Sequence, residues 1–246
     1  MKADPSRQWR LLDLAEIDTR LDQIAHRLRS SDEQRELDAA TARRAEIQTD
    51  LVLARTAVSD VQREITRAED EVQMVRDRMA RNQSRLESGQ GTPKDLQALQ
   101  HELESLQRRQ ATLEDVELEV MERAEQLQVT LDGLEGRAAE LDAAVTAATE
   151  AHDALVASLE NEREQVSRRR DDVAGGVGEE LLALYAKVRE TVGGAGAAAL
   201  RQRRCEGCHM ELGQVELSRI RSAAGDEVVR CEDCRRILVR TAESGL

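Results

Sequence analysis

The chain has 246 residues, a formal net charge of −13, 35% charged side chains and 1% aromatics: Trp9, Tyr185 and no Phe. A core of that size ordinarily contains several Phe and Tyr, so an ordinary globule is excluded. The abundance of Glu, Arg, Ala, Leu, Asp and Gln marks long helices or coiled coil instead. The charge is uneven: residues 1–170 carry about −11 and residues 201–246 about +1, so the long part repels nucleic acid and any phosphate contact belongs near the C-terminus.

The opening stretch, Met1 to Asp18, lacks the apolar core of a signal peptide. No apolar run reaches the roughly 18–20 residues that span a bilayer. A cytoplasmic protein without a membrane span is the expectation. The first apolar stripe is Leu14, Ile17, Leu21, Ile24 and Leu28. Its phase does not continue into the next one, and Ser30 to Gln34 fill the gap. Ser30 with Glu33 fits a capping box, so a kink or helix restart is expected near 30–34.

From Leu37 to Leu86 a 3-4 spacing holds over 15 positions, 13 of them apolar; Arg44 and Asn82 are the exceptions. From Leu96 to Val166 the same spacing covers 21 positions, 17 of them apolar, with Gln110, Glu117, His152 and Glu162 interrupting. A 3.5-residue period sustained this far is a coiled-coil seam. Asn82, Gln110, Glu117 and His152 read as residues that set register.

Between the stripes stands Ser88-Gly-Gln-Gly-Thr-Pro-Lys-Asp95. The glycines end one helix, Thr92 caps the next, Pro93 suits its first position and Asp95 its positive end. This turn at 88–94 predicts an antiparallel hairpin in which residue i lies opposite roughly 182 − i. Leu86 then meets Leu96, Met79 meets Leu103, Leu51 meets Leu131, and Arg44 faces Ala138. A parallel dimer of two straight chains competes, because heptads do not choose their partner. The loop with Lys94 reads as a plain hairpin tip.

Gly175, Gly176 and Gly178 mark a hinge, Glu179 to Val192 a short amphipathic helix, and residues 193–196 a second break. All four cysteines follow, as Cys205-x-x-Cys208 and Cys231-x-x-Cys234 with 22 residues between the pairs. Two such knuckles can surround one tetrahedral Zn²⁺. Two disulfides need an oxidising compartment, a redox pair needs a βαβ domain, and sequence leaves bound iron open. Four cysteine ligands leave no open position, so the metal is structural. His209 reads as a neighbour of the ligands. The runs 197–204 and 227–240 read as strands of a ribbon. Arg201, Arg203, Arg204, Arg235 and Arg236 are the candidate nucleic-acid contacts. No aromatic follows Tyr185, so the ribbon is expected to lack a stacking platform for bases.

This order of elements, with Cys205 to Leu212 and Val228 to Val239, resembles the bacterial coiled-coil/C4-type zinc-ribbon family. Leu11 to Leu28, Thr92 to Leu106 and Cys234 to Leu238 resemble its recurring stretches. The resemblance implies a nucleic-acid-binding or regulatory protein; members have been tied to RNA, to alternative sigma factors and to flagellar or type III secretion systems. Many relatives carry an aromatic where this chain has Val239.

The expectation is therefore a mainly α fold: a long antiparallel coiled-coil hairpin over 1–174, a hinge and short helix over 175–196, and a small β C4 zinc ribbon over 197–246 with one structural Zn²⁺. The expected function is a non-enzymatic cytoplasmic adaptor or regulator that binds protein partners through arm and ribbon, without a small-molecule substrate. Exposed apolar residues such as Ile237 and Val239 would serve the ribbon's docking. The alternative is an RNA- or DNA-binding regulator using the ribbon's arginines.

Overall fold

A computed structural model describes residues 1–246. Five helices and four short strands follow in the order α1 (Pro5–Arg29), α2 (Asp32–Glu87), α3 (Pro93–Gly175), α4 (Glu179–Val192), β1 (Ala197–Arg201), β2 (Arg204–Cys205), α5 (Gln214–Ser222), β3 (Val229–Arg230) and β4 (Ile237–Arg240). Helix α1 begins where Asp4 accepts the Ser6 amide at 2.8 Å. The restart at α2 uses a different cap from the expected one: Ser31, not Ser30, accepts the Gln34 amide at 3.1 Å. The Ser30 hydroxyl instead closes the end of α1 on the His26 carbonyl. One residue's shift follows from α1 holding helical geometry through Arg29.

The chain divides into two compact units, Glu36–Thr149 and Met1–Arg35 with Glu150–Leu246. The first is an antiparallel helical hairpin. Gly89 (φ +68°) and Gly91 (φ +140°) take the turn into backbone that other residues rarely adopt. Thr92 and Asp95 then cap reciprocally: Asp95 donates its amide to the Thr92 hydroxyl, and its carboxylate accepts the Thr92 amide at 2.9 Å.

Within the hairpin, Ile47, Leu51, Leu131 and Ala138 form one buried cluster, so Leu51 and Leu131 share a core. Ion pairs flank the seam on both sides: Arg55–Glu135, Arg76–Glu114, Arg78–Glu102, Arg109–Glu71 and Arg123–Glu64. Each partner sum falls between 180 and 190, as antiparallel helices about one turn require. The Arg44 guanidinium pairs with Asp142 and Gln48, while Ala138 packs with the apolar cluster. A charge reaches a carboxylate at the seam's edge more favourably than it sits buried.

The second unit joins both chain ends. The sheet order is β2-β1-β4-β3, with β1 and β4 parallel and the outer pairs antiparallel. Alternation along the strands sends residues to two cores. Ala197, Ile237 and Val239 pack with Leu11 and Leu14 of α1 and Leu181, Tyr185 and Val188 of α4. Ala198, Leu200 and Leu238 pack on the other face with Leu217 and Ile220 of α5 and with Cys205 and Cys231. The sequence reading assigned residues 1–174 to the arm; the contacts gather Met1–Arg35 and residues 150–174 with the ribbon instead.

Candidate metal centre

The two cysteine knuckles are built alike. In the first, Cys205 donates its amide to the Met210 carbonyl at 3.0 Å and accepts the His209 amide at 2.7 Å. In the second, Cys231 donates to the Arg236 carbonyl and accepts the Arg235 amide, both at 3.0 Å. His209 (φ +60°) and Arg235 (φ +65°) occupy the left-handed position that closes each turn, without the glycine usual there. Cys205 and Cys231 are fully buried; Cys208 and Cys234 are half-buried.

The four Sγ atoms lie within 4.8 Å of one another. Cys205 and Cys234 are 3.8 Å apart, Cys208 and Cys231 3.9 Å. Sulfurs about 2.3 Å from one tetrahedral ion stand about 3.8 Å apart, so the donor set fits zinc. Burial pushes the Cys205 thiol well up and the Cys231 thiol up to about 11. Opposing this, the amides of Cys208 and Gly207 point at the Cys205 sulfur, and those of Cys234 and Asp233 at the Cys231 sulfur. At Cys234 burial is outweighed by the amide and guanidinium of Arg236 together with the neighbouring thiols, and the thiol lies below its ordinary range. These donors spread thiolate charge, which is what a tetrathiolate site requires.

Helix α5 braces the second knuckle. Glu216, 6% exposed, accepts the Glu232 amide at 3.0 Å. Sequence reasoning missed this carboxylate, which carries no spacing signal. It also missed Asp18. That fully buried residue accepts the Tyr185 hydroxyl at 2.8 Å and the Arg170 Nε at 2.6 Å, and stands 3.3 Å from the Arg189 Nε. Burial first, and the bond to Asp18 second, hold the Tyr185 phenol far above its ordinary range.

The five candidate arginines do not form one free patch. Arg236 is half-buried and donates to the Ala195 and Gly207 carbonyls. Arg201 is exposed and gives its Nε to Glu243 at 2.6 Å, while Arg203 donates to the Gly245 carbonyl. Arg204 and Arg235 are exposed. His209 is exposed and lies outside the four-sulfur set.

One expectation is corrected. Ile237 and Val239 are fully buried in the core shared with α1 and α4, so they offer no docking surface. The ribbon itself holds no aromatic, but Trp9 of α1 donates its indole N–H to the Arg240 carbonyl at 2.9 Å and stays 54% exposed. No local signal near residue 240 points to a tryptophan more than 200 positions upstream.

Comparison with known proteins agrees with this architecture. The CT398-like coiled coil hairpin domain matches residues 14–193, and the C4-type zinc ribbon domain matches residues 204–238. The uncharacterized protein Rv2229c of Mycobacterium tuberculosis is 41% identical over 241 residues, covering 98% of both chains. A solved structure from Mycobacterium smegmatis has a TM-score of 0.87 at 40% identity and covers 98% of this chain and 100% of its own. CT398 from Chlamydia trachomatis, at 18% identity, shares the fold with a TM-score of 0.70 over 96% of this chain and 98% of its own. By hairpin and ribbon together, the chain belongs to the CT398-like coiled-coil hairpin family and carries a C4-type zinc ribbon.

Proposed function

We propose that this protein is a non-enzymatic cytoplasmic adaptor or regulator: a coiled-coil arm displays surfaces to protein partners, and a ribbon is held by one structural Zn²⁺ on Cys205, Cys208, Cys231 and Cys234. The observation that carries the reading is on the arm. Its seam is filled by its own two helices, yet Val52, Leu53, Val116, Leu118, Met121 and Val129 remain exposed. The antiparallel pairing brings these six to one stretch of the hairpin, while Met74 is exposed nearer the turn. Large apolar side chains concentrated on an otherwise charged rod are what a partner protein covers.

Other features support the rest of the reading. Four sulfurs saturate a tetrahedral ion and leave no position for a substrate. A cleft of about 780 Å³ is lined by Asp18, Asp22, Arg163, Arg170 and Arg189, and both aspartates are ion-paired there. Thiols gathered for a metal suit a reducing compartment, and no helix is long and apolar enough to cross a membrane.

Photo-crosslinkers at positions 118 and 129 in the native host test the arm. They should yield adducts that a crosslinker on the charged face at Glu140 does not. Equal labelling at all three positions would reject a defined docking stretch. Elemental analysis should find about one zinc per chain, and Cys231→Ser should lose it; full zinc retention in a Cys231/Cys234 double variant would reject the site.

A second reading, nucleic-acid binding at the ribbon, is favoured by one specific observation. Trp9 supplies the aromatic that the ribbon's own sequence lacks. Binding that falls steeply with salt separates this reading from protein docking.

A further inference from the structure

We propose that one side of the coiled-coil arm docks a basic amphipathic helix of a partner protein. The inference rests on the arm reading above and names that partner's chemistry. The ion pairs tell the two sides of the hairpin apart. Arg55–Glu135 and Arg76–Glu114 mark one side, and Arg78–Glu102, Arg109–Glu71 and Arg123–Glu64 mark the other. Within each set, residues on the same helix stand whole heptads apart and so point the same way. Helical steps then assign the exposed apolar residues. Met121 is one heptad past Glu114 and two before Glu135, Leu118 is one turn from both Glu114 and Met121, and Val52 is one turn before Arg55. These three share the first side. Val116, one heptad from Arg109 and from Arg123, and Met74, one turn from Glu71 and from Arg78, share the second.

The first side has a rung without an ion pair. The register that joins Arg55 to Glu135 and Arg76 to Glu114 sets Glu69 opposite Met121. There a carboxylate faces an exposed apolar side chain where its neighbours face a guanidinium. Glu125, one turn past Met121, is exposed and has no basic partner, and Asp132 accepts the Gln128 side-chain amide at 2.7 Å. The second side carries no such surplus. Glu64, Glu71 and Glu102 each meet an arginine, and the unpaired Glu119 is offset by the unpaired Arg67.

Apolar side chains beside surplus carboxylates match a helix whose apolar stripe is flanked by Lys and Arg. A second copy of the same side would set acid against acid, and nucleic acid or an anionic membrane would meet the same repulsion. The antiparallel pairing puts Val52 about level with Thr130, roughly 14–18 Å along the arm from Met121 and Leu118. The docked segment therefore carries apolar anchors about three helical turns apart.

The test titrates the full-length zinc-loaded protein against a labelled helical peptide of about three heptads, with leucine on its apolar stripe and lysine elsewhere. The same peptide with glutamate in place of lysine is the control. By anisotropy, the lysine peptide should bind and the glutamate peptide should not. Leu118→Gln combined with Met121→Gln should weaken binding about tenfold or more, whereas Val116→Gln combined with Met74→Gln leaves it unchanged. Met121→Leu should retain binding. Met121→Arg should abolish it, because the new guanidinium meets Glu69 and completes the rung as Arg55 and Arg76 complete theirs. The helical signal should hold in every variant, since the replaced side chains are exposed. Equal affinity for the glutamate peptide overturns the proposal. So does an equal loss in the Val116/Met74 variant, or binding that Met121→Arg leaves intact. No binding of either peptide overturns the basic helix as occupant. Host adducts at position 118 would then keep the arm reading with a partner of other chemistry, and their absence would remove that reading as well.

Discussion

Asn82 is the residue at which the hairpin gives up stability. It occupies a seam position of α2, exposes 7%, and its side-chain Nδ2 has no hydrogen-bond partner. The antiparallel pairing sets it level with Leu99, so an amide faces a leucine layer. A buried donor left unpaired costs about 1–3 kcal/mol, and Asn82→Leu removes that cost while filling the layer. The variant should unfold at higher temperature and higher denaturant; a midpoint that falls would show that Asn82 instead satisfies a register requirement that leucine cannot. Glu216 is the opposite kind of buried polar residue, because it is partnered. Its acceptor oxygen holds the Glu232 amide beside Cys231 and Cys234. Glu216→Gln keeps an acceptor and should keep zinc, whereas Glu216→Ala should release it faster to a chelator. Equal release rates would make the contact incidental. The sequence singled out Asn82 through its break in an apolar stripe. It gave no sign of Glu216, whose partner lies 16 residues away in a different element.

At the scale of elements, the long helices were legible because period and punctuation agree. The 3.5-residue stripes mark the seams, and glycines with Pro93 mark the turn. The cysteine spacing likewise marked the ribbon, since knuckle geometry is local. The destination of α1 was not legible. Its phase break against α2 was visible, but which surface its apolar stripe would cover depends on a sheet 200 residues downstream. That distant packing also buried Ile237 and Val239, which the strand pattern alone left facing solvent. The hairpin turn carries a prediction of its own. The Thr92 hydroxyl and amide hold the Asp95 carboxyl below its usual range. A lowered folded-state pKa means that the cap's contribution is complete above the unfolded value near 3.8 and is lost as pH falls through the folded value. Asp95→Asn should therefore lower the melting temperature of the helical signal at neutral pH, and the difference from the parent should shrink below about pH 3.8. A difference that persists unchanged at lower pH would show that the carboxylate's charge is not what caps α3.

For the whole molecule, the decisive feature is that the four-cysteine centre, α1 and α4 share one structural unit. Cys205 and Cys231 belong to the core on one face of the sheet, and Ile237 and Val239, from the strand that follows the second knuckle, belong to the core on the other. That second core contains Leu11 and Leu14 of α1 and Leu181, Tyr185 and Val188 of α4. The ribbon strands are only two to five residues long, and four thiolates without an ion repel one another, so the sheet is expected to depend on the metal that the cysteines would hold. Losing zinc should disorder β4 and uncover the α1 face that rests on it. Trp9, bonded to the Arg240 carbonyl, reports this directly as the one tryptophan. The hairpin cluster of Ile47, Leu51, Leu131 and Ala138 shares no residue with either sheet core. Chelation, or Cys231→Ser, should therefore shift the Trp9 emission to longer wavelength and speed amide exchange in α1 and α4. Exchange around Ile47 and Leu131 should stay slow and most of the helical signal remain. An unshifted Trp9 spectrum after complete zinc loss would mean that α1 and the sheet hold each other without the metal. The same core explains why residues 197–246 alone are a poor substitute for the chain: cut there, Ile237 and Val239 lose the helices that bury them.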